Sequence, residues 1–264
     1  MDPSLRRPPV HVCTAFGASF DGAEPLPGGA WRCGDVVLRQ VTDRTHALWL
    51  ATTFAALDIP DLRIARPLRT TDGRWLIGGW SASRYVAGTA ENRPDALVLT
   101  AVKLHQATAN LPRPDFLAKR RDVSAVAERI AWGEHEAELD EQKGGRWFEI
   151  LVPARRPVSL PDQLVHAELF GTVLFDGDAA PGLVDFVPHY RPAEWGAAVA
   201  AVDAVAWGGA DSALLRRWSH LPEWPQLLLR ATLFRLAYNA LHPNSTAAAL
   251  DGLRVAASEV SEIL

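Results

Sequence analysis

Lysine is scarce in this chain of 264 residues. Its lysines are Lys103, Lys119 and Lys143, so the stretch before Val102 carries its positive charge on arginine alone. Cysteine is limited to Cys13 and Cys33; the two thiols could pair, but nothing argues for an oxidising compartment. No run of 18 apolar residues exists, so no membrane span is expected. The opening Met-Asp-Pro-Ser-Leu-Arg-Arg lacks the apolar stretch of a signal peptide, and a cytoplasmic protein is the expectation. No long segment is strongly basic, so a nucleic-acid footprint is not expected; Lys-Arg-Arg at 119–121 and Arg155-Arg156 sit among acids and read as solvated faces. Repeats and low-complexity blocks are absent.

What is present is ordinary for a globular protein: 48% hydrophobic and 22% charged residues, with a formal charge of −4. A chain of this length buries enough surface to fold without staples. The first third reads as short strands. Residues 11–20 alternate loosely, Pro25-Leu26-Pro27-Gly28-Gly29 is a turn, and Gly34-Asp35 joins strands at 30–33 and 36–41 as a hairpin. Residues 44–57 carry apolar side chains at helical period behind Thr42 or Asp43 as N-cap. Strands at 64–68 and 74–81, separated by Asp72-Gly73, complete this part. Helices are expected at 94–110, 122–141, 193–208, 222–241 and 246–263, with prolines at their edges. Residues 142–161 read as a loop, and 163–186 as strands broken by turns. The fold class is therefore α+β, in two unequal lobes: residues 1–87, an antiparallel sheet with one helix, and residues 88–264, mostly helical.

Several active-site patterns are incomplete. His135-Glu136 begins like a zinc-binding helix, but Leu139 stands where the second histidine is needed. Asp176-Gly177-Asp178 lacks the remaining ligands of a calcium loop and reads as a hairpin turn. There is no Gly-x-Ser-x-Gly elbow. The informative stretch is His166-Ala167-Glu168-Leu169-Phe170-Gly171-Thr172-Val173-Leu174-Phe175, followed by Val184-Asp185-Phe186. A histidine and an acid, then a polar residue before an apolar strand, then an Asp beyond a hairpin form the layout of a phosphoryl-transfer loop. One carboxylate orients the acceptor hydroxyl, while a side-chain oxygen and a second carboxylate hold magnesium on the phosphates.

On these residues the chain resembles the aminoglycoside phosphotransferase and choline kinase-like superfamily, most closely an actinobacterial subgroup. The similarity extends to Gly28-Gly29-Ala30-Trp31-Arg32, Gly34-Asp35-Val36-Val37-Leu38, Asp72-Gly73-Arg74-Trp75, Leu111 to Leu117, and Pro188-His189-Tyr190-Arg191-Pro192-Ala193-Glu194-Trp195. The resemblance implies a two-lobed protein-kinase-like fold, with a small β-rich N-lobe and a larger helical C-lobe. It also implies ATP and magnesium as cofactors. By this resemblance Glu168 takes the place of the catalytic Asp, Thr172 that of the metal-binding Asn, and Arg39 that of the phosphate-gripping Lys. Asp185 keeps the metal-binding Asp, Gly28 and Gly29 fall on the nucleotide-binding turn, and His166 keeps the loop histidine and supports its backbone. Between residues 40 and 60 the acids are Asp43 and Asp58, neither placed to pair with Arg39 from the first helix.

These departures imply a degenerate site. Glu for Asp lengthens the arm by about 1.5 Å, and a misplacement of about 1 Å can cost on the order of 10²-fold. Arg for Lys replaces a point charge by a planar fork. The first reading is a pseudokinase that holds a small molecule, peptide or protein partner in its interlobe cleft, with lost or weak phosphoryl transfer and weak or absent ATP and magnesium binding. The alternative is an active magnesium- and ATP-dependent phosphotransferase acting on a hydroxyl through Glu168, Thr172 and Asp185. Asp203 is expected to brace the catalytic loop. Trp195 and Trp207 are candidates to wall a substrate cleft, and Trp31, Trp75 and Trp80 are read as core or lobe-interface residues.

Overall fold

The computed structural model describes residues 6–264; the start of the segment read for a signal peptide, residues 1–5, lies outside the described residues. Contacts divide the chain into two compact units. The first runs through Thr89 and includes Leu174–Asp185; the second comprises Ala90–Val173 and Phe186–Leu264.

The first unit opens with helix α1, Val10–Ala15, where loose alternation suggested a strand. Val12, Cys13 and Phe16 recur at helical, not strand, spacing, and all three are buried against the sheet with Cys33, Val36, Leu38, Trp80 and Ala82. Strand β1 (Glu24–Leu26), a short helical turn at Pro27–Gly29, β2 (Ala30–Cys33) and β3 (Val36–Gln40) follow. Trp31 faces Leu38 and Cys33 faces Val36 across the hairpin turn at Gly34, whose φ is +63°. Helix α2, Arg44–Ala56, is capped by Asp43, which accepts from the backbone N–H of Thr45 at 2.8 Å and His46 at 3.0 Å. Then come β4 (Arg63–Ile64), β5 (Pro67–Leu68), β6 (Leu76–Ile77) and β7 (Trp80–Arg84). The expected single strand at 74–81 is folded back on itself at Gly78-Gly79, both at positive φ, so β6 pairs with β7. The main sheet is antiparallel, ordered β1-β2-β3-β7-β5.

The second unit starts with α3 (Pro94–Thr108) and α4 (Val123–Trp132). The helix expected over 122–141 stops nine residues early. Gly133 adopts φ +77° and the N–H of Glu134 closes on the carbonyl of Arg129 at 2.8 Å, a glycine-terminated helix end. The expected loop at 142–161 contains α5, Gly145–Leu151, which buries Leu151. Strand β8 (Gln163–His166) follows, then β9 (Val173–Leu174) at the boundary between the units, β10 (Gly182–Leu183) within the stretch that belongs to the first unit, and β11 (Pro188–Arg191) back in the second, with Asp176-Gly177 in the turn between β9 and β10. Strand β8 pairs antiparallel with β11, setting Val165 opposite His189 and Gln163 opposite Arg191. The chain ends with α6 (Ala193–Ala206), α7 (Ala213–Arg217), α8 (Trp224–Leu241) and α9 (Ala247–Ser261). Helices α6 and α8 are buried almost all round and form the core of this unit. Alanine and glycine let the helices approach closely: a Cβ on Gly252 of α9 would meet the Ala206 carbonyl oxygen at 1.9 Å. Among the described residues, no helix is long and apolar enough to cross a membrane.

Candidate active site

The first unit gathers four of the residues singled out from the sequence. Gly28 and Gly29 turn the chain between β1 and β2 at φ +73° and +74°. A Cβ on Gly28 would stand 3.5 Å from Nη1 of Arg39, which projects from β3. The same Nη1 lies 4.0 Å from Oδ2 of Asp185, both side chains being about one-third exposed, at 36% and 37%. An ion pair this exposed adds little stability; what it does is place a guanidinium, a carboxylate and two side-chain-free residues together. Asp185 is carried there by β10, which pairs in parallel with β4. Arg63 of β4 secures the segment, donating to the carbonyls of Ala180 at 2.6 Å and Ala87 at 3.0 Å.

The second unit gathers the loop residues. His166 is fully buried at the end of β8. Its Nδ1 accepts from the backbone N–H of Glu168 at 3.3 Å and of Val187 at 3.2 Å. That bonding assigns the proton to Nε2, which donates to Thr172 Oγ1 at 3.2 Å. The Thr172 hydroxyl in turn donates toward the carbonyls of Glu168 at 2.9 Å and Leu169 at 3.1 Å. Thr172 thus ties the loop to itself, and one lone pair of its oxygen remains for any cation.

Two further buried groups hold this loop. The N–H of His166 donates to Nε2 of His105 at 3.0 Å, and Nδ1 of His105 is 2.9 Å from the Ala193 carbonyl. Burial pushes His105 down to about 3, with the neighbouring His166 acting in the same sense. Asp203 of α6 meets Arg235 of α8 through two bonds, 2.6 and 2.5 Å, and Arg235 donates onward to the Ala167 carbonyl at 3.0 Å. Asp203 therefore braces the loop through an arginine rather than directly. Burial raises the Asp203 carboxyl to about 6 against the opposing pull of Arg235.

Glu168 is bonded into the interior of the same unit. Its Oε1 accepts from Ser124 Oγ of α4 at 2.5 Å. Ser124 Oγ lies 3.3 Å from His189 Nε2, and His189 Nδ1 lies 3.0 Å from Glu128 Oε2. Arg191 bonds to Glu128 and grips Glu134 with two bonds of 2.6 and 2.7 Å, while stacking over Trp132 at 4.7 Å. Burial works to raise Glu168, but Arg235, the Ser124 hydroxyl and the two histidines outweigh it and hold the carboxyl below its ordinary value. The outer end of the chain borders a cavity of about 320 Å³ lined by Arg113, Arg129, Glu128, Glu134, Asp162 and Tyr190. Of the tryptophans expected to wall a substrate cleft, Trp195 is completely buried, packed edge-on to Trp132 and Phe234, and cannot do so. Trp207 is 37% exposed and sits beside Phe170 of the same loop as Glu168, ring centroids 6.3 Å apart.

Ser124, Glu128, Arg191 and His105 were not singled out from the sequence. Arg191 lies in the Pro-His-Tyr-Arg-Pro segment that carries the resemblance, and that placement was the available signal. Among the described residues no cluster of three or more His, Cys, Asp or Glu could bind a metal by itself. Magnesium that arrives on nucleotide phosphates needs one or two protein carboxylates, and Asp185 beside Arg39 and the Gly28 turn fits that demand.

Comparison with solved structures agrees with this architecture. The chain is similar to an aminoglycoside phosphotransferase solved with ADP and hygromycin B (14% identity, 96% of each chain, TM-score 0.55). It is similar to a spectinomycin phosphotransferase solved with ADP and spectinomycin (10% identity, 95% of each chain, TM-score 0.57). A choline/ethanolamine kinase family protein from Mesorhizobium loti matches at 15% identity over 96% of this chain and 94% of its own, TM-score 0.52. No protein-family model matches the chain, and no curated protein does. The fold is the kinase-like fold of aminoglycoside phosphotransferases and choline kinase-like proteins.

Proposed function

We propose, from that fold as premise, that this chain is a nucleotide-dependent phosphotransferase of weakened power that acts on a hydroxyl of a small molecule or peptide. Asp185 would hold the magnesium carried by the nucleotide, with Arg39 and the Gly28-Gly29 turn on the phosphates. Glu168 would orient the acceptor hydroxyl and take its proton. The bound magnesium supplies charge neutralisation on the transferring group. The observation that carries the reading is the grouping of Gly28, Arg39 and Asp185 in one unit, with Arg39 at 4.0 Å from the carboxylate. Within its own unit Glu168 is held as the ionised carboxylate, the form that accepts a hydrogen bond from a hydroxyl.

The weakening has structural reasons. Arg39 substitutes a fork for the point charge of a lysine, and α2 offers it no acidic partner. The Thr172 hydroxyl is engaged by His166 and by loop carbonyls, so a second metal position is poorly served. These same facts favour a second reading, a pseudokinase that binds nucleotide, peptide or a protein partner without transfer.

The test is magnesium-dependent release of ADP from ATP by the full chain, alone and with hydroxyl-bearing metabolites and peptides. The first reading expects slow release that Asp185→Ala and Glu168→Gln abolish. Nucleotide binding with no release above the Asp185→Ala background would establish the second reading instead.

A further inference from the structure

We infer that Ser124 is a positioning residue for Glu168, and that this serine and the longer glutamate arm form a matched pair. The inference rests on the reading of Glu168 as the carboxylate that orients the acceptor hydroxyl. A glutamate has one more rotatable bond to fix than an aspartate, and an arm that wanders loses the geometry on which positioned transfer depends. Ser124 supplies the missing constraint by donating to Oε1 at 2.5 Å.

The serine is itself fixed from two sides. It is the second residue of α4, whose start is set by Asp122 accepting from the Ala125 N–H at 3.1 Å. On the other side stands His189 of β11, with Nε2 at 3.3 Å from the serine oxygen. His189 is held by Glu128, and Glu128 by Arg191, which is anchored on Glu134. Ser124 and His189 are both buried, at 7% and 1% exposure, so solvent does not compete for these bonds. In this proposal the acceptor hydroxyl is bound by the other carboxylate oxygen, the one that Ser124 does not hold.

The pairing reverses the expectation drawn from residue type alone. With aspartate at 168 the carboxylate would withdraw by about 1.5 Å. The bond to Ser124 would open to about 4 Å, beyond hydrogen-bond range. Glu168→Asp is thus a loss of positioning, although it restores the residue expected at that place in the superfamily.

Steady-state ADP release from magnesium-ATP by the full chain, with water as acceptor, tests this. Ser124→Ala is expected to lower kcat by about tenfold or more with KM for ATP unchanged. Ser124→Thr, which keeps the hydroxyl, is expected to retain most of the rate. Glu168→Asp is expected to fall below the parent, and adding Ser124→Ala to it to cost little more. The acid limb of the kcat profile moves to higher pH in Ser124→Ala, because a bond that favours the ionised carboxyl is gone. The other charged or titratable groups acting on Glu168 are Arg235, His189, His166, Asp203 and Tyr238, and all remain in that variant. A rate that rises in Glu168→Asp, or is unmoved in Ser124→Ala, overturns the pairing. If Ser124→Ala does not fold, Ser124→Thr and Glu168→Asp decide. ATP binding seen by calorimetry, with no release above that of Asp185→Ala, overturns the positioning role and leaves nucleotide binding intact. No ATP binding overturns both.

Discussion

Replacing Asp203 by alanine is the perturbation with the largest expected cost. The side chain of Asp203 is 0% exposed and that of its partner Arg235 is 6% exposed. Removing the carboxylate leaves a buried guanidinium with the Ala167 carbonyl as its remaining acceptor. An uncompensated buried charge of this kind costs about 3–5 kcal/mol. Against a typical total of about 5–15 kcal/mol, that is a large fraction of the stability. The double replacement Asp203→Leu with Arg235→Met removes both charges at similar volume and is expected to recover most of the loss. Urea unfolding followed by tryptophan fluorescence measures both variants, with the slope checked for constancy. A loss below about 1 kcal/mol in Asp203→Ala would refute the reasoning, since it would mean that Arg235 finds water or another partner. The double variant has a second consequence. Arg235 is the largest of the influences that lower Glu168, so its removal moves the acid limb of any Glu168-dependent rate to higher pH even when stability is restored.

Acidification destabilises the second unit through His105. Its folded pKa is about 3, below the ordinary 6.5, so the unfolded chain takes up the proton first. The stability it contributes is present above pH 6.5 and is lost as pH falls toward 3, at most about 5 kcal/mol. Asp203 acts in the opposite sense between about 4 and 6, because its folded pKa is raised, but its displacement is the smaller. Urea midpoints at pH 7 and pH 4.5 should therefore fall on acidification, and fall less in His105→Gln. Gly252→Ala places a methyl against the Ala206 carbonyl, a backbone atom that cannot step aside; a loss of about 1–3 kcal/mol is expected in the same assay, and an unchanged midpoint would contradict the close α6–α9 approach. Gly28→Val adds a branched side chain at φ +73° beside Arg39. It should weaken ATP affinity about tenfold or more in calorimetry.

Much of the fold was legible because local signals agreed. Asp43 capped α2 as its position suggested, the Gly34 turn joined β2 to β3, and prolines marked the edges of α6 and α8. Where the reading failed, a single glycine or a short apolar spacing was decisive. Gly133 ended α4, Gly78-Gly79 folded one strand into two, and the Val12-Cys13-Phe16 spacing made α1 a helix. The loop residues His166, Glu168 and Thr172 could be singled out together because they lie within a few residues of one another, and the structure bonds them into one loop. Their supports could not. Ser124 reaches Glu168 across 44 positions, and Arg191 reaches Glu128 across 63. No periodicity encodes contacts of that range; they exist because β11 lies beside β8 in the fold, with α4 within reach of both. Trp195 was misjudged for the same reason, since its helix turned out to be buried on every side.

The account stands or falls on whether the Gly28, Arg39 and Asp185 group takes a magnesium nucleotide. Calorimetric titration of the full chain with ATP, with and without magnesium, measures this directly when Asp185→Ala is run beside it. Saturable binding that requires magnesium and disappears in Asp185→Ala is the predicted result. A folded protein that gives no heat with ATP in either condition, or binds equally well without Asp185, would contradict it.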